Sequence, residues 1–151
     1  MKVQLSSVAE LEGDPGLASL LVEYAAESSI AGMPAPAARM DSYRELEARG
    51  LLQVLSATHE GLLVGFLTLL VPVLPHYGVA VAVSESFFVA RSHRGTGAGL
   101  KLLRAAEDLA RRLGSPGLLV SAPFEGDLFK VLPRIGYAET NRVFFKKVSH
   151  A

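Results

Sequence analysis

Apolar positions along the 151-residue chain follow two rhythms, one helical and one of strands. From Gly97 onward Leu102, Leu103, Ala106, Leu109, Ala110 and Leu113 recur at the spacing of one helix face, while Lys101, Arg104, Asp108, Arg111 and Arg112 take the other. Gly114 and Pro116 end that helix. Upstream, "LLQVLSATHEGLLVGFLTLLV" reads as two strands joined near "HEG", and a third follows through "LPHYG", from Val79 to Ala90. At the start, "KVQLSSV" is a short strand. Asp14 and Pro15 open a helix running to about Glu27, and a second helix spans about Pro36 to Arg49, closed by Gly50. Past the long helix, "GLLVSA" reads as a further strand, Asp127 to Ile135 as a short helix that must accommodate Pro133, and "YAETNRVFFKKV" as a final strand. No repeat, linker or low-complexity tract divides the chain, so residues 1–151 are expected to form one domain.

The segment Gly61 to Ser84 carries no Asp, Glu, Lys or Arg, and it exceeds the about 20 apolar residues a spanning helix needs. Pro72, Pro75, His76 and Gly78 interrupt it, and its many β-branched residues favour a buried hairpin over a membrane span. Fifteen Lys and Arg balance fifteen Asp and Glu, so no net charge draws the chain to nucleic acid or to an anionic membrane. There is no cysteine, which removes thiolate metal sites and a cysteine nucleophile. His59, His76, His93 and His150 show no ligand spacing, so no metal is expected. No apolar signal segment opens the chain, and a cytoplasmic location is expected.

Chemistry concentrates in "RSHRGTGAGLKLL", where Gly95, Gly97 and Gly99 lie between a buried strand and the amphipathic helix. Backbone N–H groups in such a loop and first helical turn have no partner within the helix. Glycine lets a bulky anion approach them, and the helix dipole with Arg94 adds positive potential, so the loop is expected to hold a phosphate or pyrophosphate. It is not a P-loop, because no Lys-Ser or Lys-Thr pair follows the glycines. Nor is it a dinucleotide fingerprint, which belongs to a first βαβ unit, whereas this run lies two thirds of the way along.

Arg94, Gly97 and Gly99 satisfy R-x-x-G-x-G, with Val89 five places before the arginine. Together with the order of elements and the pair Gly136-Tyr137 near the end, this resembles the GNAT superfamily of acyl-CoA-dependent N-acetyltransferases over nearly the whole chain. The resemblance implies an α/β (α+β) fold: a central, mixed but mostly antiparallel sheet of six to seven strands flanked by about four helices. It implies acetyl-CoA as co-substrate, with Arg94, Gly95, Thr96, Gly97, Ala98 and Gly99 cradling the pyrophosphate. Phe87, Phe88 and Val89 would line the coenzyme's path, with Val89 offering main-chain groups to the pantetheine arm between two splayed strands.

An amine attacking a thioester must first lose a proton. Glu85 is the only carboxylate on the Val79–Ala90 strand, and strict alternation puts it on the same face as Phe87 and Val89. It is the candidate base, and relatives often carry a Glu there. Aligning "VLPRIGY" on the family's usual "LYEKLGF" puts Leu132 where a tyrosine acid is common, and Glu125 stands where an Asn is common. The missing phenol leaves Tyr77 or His76 as alternative donors, protonation by solvent, or a catalytically silent acyl-CoA sensor. The expected function is direct acetyl transfer to a primary amine of a small molecule or peptide. A sensor, a transferase of another acyl group and an unrelated phosphate-ligand module remain as alternatives. The acceptor would be selected around Tyr24 to Arg39, where Glu27 could meet the amine. The sequence does not fix the oligomeric state, and a homodimer stays open.

Overall fold

The computed structural model describes residues 1–150. Strand β1 (Lys2–Ser6) leads through Ser7 into α1 (Val8–Glu12), which is closed at its start by a reciprocal box: Ser7 accepts from the Glu10 amide, and Glu10 accepts from the Ser7 amide. That S-x-x-E signal stands in the sequence, and it ends at Ser6 the strand expected over residues 2–8. Helices α2 (Leu17–Ser28) and α3 (Met40–Ala48) follow, joined by an irregular connection. The next strands are β2 (Leu52–His59) and β3 (Leu62–Leu70), turning at Glu60 and Gly61, both at positive φ.

The expected third long strand is split. Val79–Ala80 (β5) pairs with Val73–Leu74 (β4) as a separate small hairpin, and β6 (Ala82–Val89) joins the main sheet. A 3₁₀ turn (Arg91–His93), the glycine loop and α4 (Ala98–Arg112) come next. Strand β7 is only Leu118–Leu119, and α5 (Asp127–Val131) runs into a 3₁₀ turn (Leu132–Ile135) that absorbs Pro133 near its start.

The main sheet therefore has five strands in the order β1-β2-β3-β6-β7, antiparallel except for the β6–β7 pair. It is two strands short of the upper expectation because β4 and β5 pair with each other and because residues 138–150 form no strand. The physical reason is visible at the sheet's end, where β7 offers an edge of two residues, too short to template the "VFFKKV" segment, and Phe144 is left 89% exposed. Five α-helices surround the sheet, one more than expected. No helix among the described residues is long and apolar enough to cross a membrane.

Alternation along the strands separates two cores. Leu55, Leu67, Leu69 and Val89 face α4, whose Leu102, Leu103, Ala106 and Leu109 are almost fully buried against them. Val54, Phe66 and Phe88 face the other way, onto Val8, Leu11, Leu17 and Leu20 of the N-terminal helices. Each such side chain contributes about 1.5–3 kcal/mol on burial, which is what holds α4, and the loop before it, in place.

The centre of the sheet is unusually close at Gly65 on β3, opposite Val89. A Cβ there would lie 2.9 Å from the Phe88 carbonyl oxygen and 3.2 Å from Val89 Cγ2. Gly65→Ala is therefore expected to destabilise the protein by about 1–3 kcal/mol through overpacking. Urea unfolding would check this, and a neutral result would mean that β3 and β6 can move apart freely.

Candidate active site

Strand β6 has a neighbour on both sides only at its beginning. Ala82 and Val83 pair with Leu118 and Leu119, and the Ser121 amide donates to Ser84 Oγ at 3.1 Å. Beyond that point β7 diverges, and β6 from Glu85 onward pairs with β3 alone. The Ala90 amide donates to the Val64 carbonyl of β3 at 2.8 Å, so strand alternation turns the main-chain groups of Val89 and Phe87 toward the opening. A fork thus separates β6 from β7, with a row of backbone donors and acceptors along one arm.

At the end of that arm lies the glycine loop. The Arg94 amide donates to the Arg91 carbonyl at 3.3 Å and the Thr96 amide to the His93 carbonyl at 3.4 Å. The amides of Gly95, Gly97, Ala98 and Gly99 find no acceptor among the described residues. Gly95 and Gly97 sit at φ +84° and +87°, and a Cβ on either would meet nothing within 4 Å, so the space before these donors is open. Gly99 serves a second purpose, packing α4 onto β6 with Phe87 Cζ 3.6 Å from its would-be Cβ. A loop of this kind can bind a diphosphate.

Arg94 does not point its charge freely into that loop. Its Nε donates to the Val89 carbonyl at 3.0 Å, its guanidinium lies 5.1 Å over the Phe88 ring, and Nη2 pairs with Glu27 at 2.5 Å. One lone pair of the Val89 carbonyl is thus taken by Arg94, and strand alternation leaves the Val89 amide facing the opening. Glu27 is likewise not a free carboxylate for an acceptor amine, since it is shared between Arg94 and Arg91.

Glu85 stands one residue past the fork's vertex, and strict alternation fails there. The β3–β6 register runs Thr68 to Ser86 and then Leu69 to Ser84, skipping Glu85 as the extra residue of a β-bulge. The bulge turns its carboxylate away from the α4 face of Phe87 and Val89, toward the N-terminal helices. There Tyr43 Oη donates to both of its oxygens (3.0 and 2.9 Å), and Thr68 Oγ1 donates to Oε2 at 2.8 Å. Thr68 also accepts from the Ser86 amide at 3.0 Å and lies 2.6 Å from its hydroxyl. Burial, and then the Glu85 charge beside it, push the Tyr43 phenol well above its ordinary range, and the same two causes raise Tyr24. Sequence reading placed Tyr24 in the acceptor-selecting stretch but missed Tyr43, because nothing in the spacing of α2 and α3 tells which face reaches a bulge on β6.

The remaining candidates separate from this centre. Tyr77 is 70% exposed at the tip of the β4–β5 turn, its ring edge-on to His76, and it lines neither pocket beside Glu85. Leu132 is buried in the α4 core, 8% exposed, where a phenol is absent. Glu125 adopts φ +57°, a left-handed conformation that Asn enters more readily than Glu, which gives a backbone reason for the residue common in relatives. His59 and His93, far apart in sequence, bring their rings to 5.4 Å beside the loop. No group of three or more metal-ligating side chains occurs among the described residues.

The Glu27 pairing has a pH signature. Hydrogen bonding from Arg94, opposed by burial and aided by Arg91, holds its carboxyl below the usual range. The unfolded chain then takes up the proton first as pH falls, so the stabilisation is complete above the ordinary glutamate value and is lost as pH drops through the folded one. Both partners are partly solvated, so Glu27→Gln is expected to cost only about 0.5–1 kcal/mol near neutral pH. Urea unfolding of both proteins should show that difference shrink and vanish as pH falls below the lowered pKa of the folded carboxyl; a constant difference would exclude the ion pair as its source.

Residues 17–122 match the acetyltransferase (GNAT) family. No curated protein matches the sequence. The fold is similar to that of a ribosomal-protein-alanine N-acetyltransferase from Brucella melitensis biovar Abortus 2308, with a TM-score of 0.73 at 21% identity, covering 98% of this chain and 100% of that one. An aminoglycoside acetyltransferase from an uncultured soil metagenomic sample matches with a TM-score of 0.73 at 20% identity, covering 99% and 96%. An aminoglycoside N-acetyltransferase in complex with CoA gives 0.72 at 19%, covering 99% and 100%. At these identities the likeness establishes the fold, and the family match covers most of the sequence. With a forked sheet, an open glycine loop and that match in agreement, the chain belongs to the GNAT acetyltransferase family.

Proposed function

We propose that this protein transfers an acetyl group from acetyl-CoA to a primary amine by direct attack. The observation that carries the reading is the meeting of three features along β6 and the loop that follows it: free amides at Gly95 and Gly97–Gly99, an unpaired β6 edge, and a carboxylate one residue past the fork's vertex. In this reading the loop amides hold the pyrophosphate, the Val89 amide and the Phe87 main chain guide the pantetheine arm, and Phe88 supports Arg94 from below. Acetyl-CoA supplies the thioester carbonyl that the amine attacks.

Glu85 accepts the ammonium proton, directly or through one water, and Tyr43 and Thr68 fix its orientation. A hydrogen-bonded carboxylate held in one place can contribute about 10²–10⁴-fold to such a step. We assign no protein acid. A thiol of about pKa 8.5 leaves tolerably as thiolate and is protonated by solvent, and Tyr77 is 70% exposed at its turn. Residues 1–151 are read as one catalytic domain acting on a small molecule or peptide.

One observation favours a second reading: buried Leu132 in place of the tyrosine common in relatives suits a protein that binds acyl-CoA without turning it over. Thiol release from acetyl-CoA with a panel of amines distinguishes the two. Glu85→Gln is expected to lower turnover about 100-fold or more, with acetyl-CoA affinity, measured by calorimetry, unchanged. Unaltered turnover would remove Glu85 from the role of base, and binding without release from the wild-type protein would favour the sensor. Gly97→Val, which puts a branched side chain before the free amides and forces an unfavourable φ, should weaken acetyl-CoA binding by about tenfold or more. Full affinity in that variant would place the diphosphate elsewhere.

A further inference from the structure

Two adjoining openings meet at Ala38 and Tyr43 beside the Glu85 bulge. The outer one lies between the start of α3 and Glu85, bordered by Ala37, Arg39, Ser42 and Leu46. The inner one, a narrow crevice of about 30 Å³, runs beneath the N-terminal helices, and its walls are Leu11, Leu17, Leu21, Met40, Val54 and Phe66. From the chemistry of these walls we infer that the acceptor is a small monoamine with an apolar body, aliphatic or aromatic, whose ammonium meets Glu85 while its hydrocarbon part lies in the outer opening, about 280 Å³, against Ala37, Ala38 and Leu46. This inference rests on the acetyltransferase reading above.

Three features support that class. Among the described residues Glu85 is the only carboxylate lining either opening, and the only other charged group is Arg39, which stands at the outer mouth paired with Asp41 at 2.9 Å. The site can therefore neutralise one cation, and a second ammonium on the ligand would be desolvated beside apolar side chains or set near a guanidinium. The hydroxyls at the pocket floor are already engaged: Thr68 and Ser86 bond each other, and Thr68 donates to Glu85. Little remains there to replace the water lost by a hydroxyl-rich ligand. Tyr24 completes the wall with a ring set edge-on to Phe66 and Phe88, centroids 5.8 and 5.7 Å apart, a surface that favours hydrocarbon or aromatic groups.

The test is thiol release with acetyl-CoA and 2-phenylethylamine, hexylamine, ethanolamine, spermidine, kanamycin or a peptide with a free N-terminus. The expected result is a kcat/KM for phenylethylamine or hexylamine at least about tenfold above that for ethanolamine, with the polycations and the peptide lower still. Preference for spermidine, kanamycin, ethanolamine or the peptide overturns the class while leaving the acetyltransferase reading intact. If no amine releases thiol, both fall. Ala38→Glu adds a carboxylate where the two openings meet, at an exposed position ahead of α3. It should shift the spermidine to phenylethylamine ratio of kcat/KM by about tenfold or more toward spermidine. An unchanged ratio in a folded variant, with acetyl-CoA affinity preserved, would show that this pocket does not receive the acceptor.

Discussion

A strand inside a sheet that loses one neighbour halfway along must leave main-chain donors and acceptors facing a gap. That constraint, imposed on β6 where β7 turns away past Ser84, organises everything around it. The paired half fixes the strand's position, and the unpaired half offers a polar edge that needs no side chain. The bulge sits at the junction, where twist changes and a residue can be re-aimed without disturbing the alternation on either side. Beyond the edge, the chain enters a helix whose first amides are also free, so two kinds of unsatisfied backbone are brought end to end.

Packing keeps this arrangement open. The α4 face is wholly apolar toward β2, β3 and β6, so the helix cannot rotate to close the loop without exposing Leu102 or Leu103. On the other face the N-terminal helices leave a crevice instead of a sealed core, and its polar floor is supplied by a network of Tyr43, Glu85, Thr68 and Ser86. The two faces of one sheet thus carry different duties: one anchors the loop, and the other surrounds the carboxylate.

Much of this was legible in the residues. The helical period from Leu102 to Ala110, the turn at Glu60 and Gly61, and the bare backbone from Gly95 to Gly99 each correspond to what formed. What escaped has physical causes. A bulge adds one residue to one strand and leaves no trace in hydrophobic alternation, so the side on which Glu85 emerges could not be read from Phe87 and Val89. The segment after Tyr137 has strand-forming residues, but strand formation needs an edge to pair with, and Leu118–Leu119 provides almost none. The Tyr43–Glu85 contact spans 42 residues of sequence and depends on where α3 comes to rest.

The guanidinium that caps the Val89 carbonyl carries a thermodynamic implication of its own. It is tethered five residues away and steadied by a carboxylate and an aromatic face, so its local concentration at that oxygen far exceeds that of any dissolved molecule. A visitor reaching for the same acceptor has to take the oxygen's second lone pair beside the guanidinium or displace it, and only displacement makes its affinity a difference between two bonds.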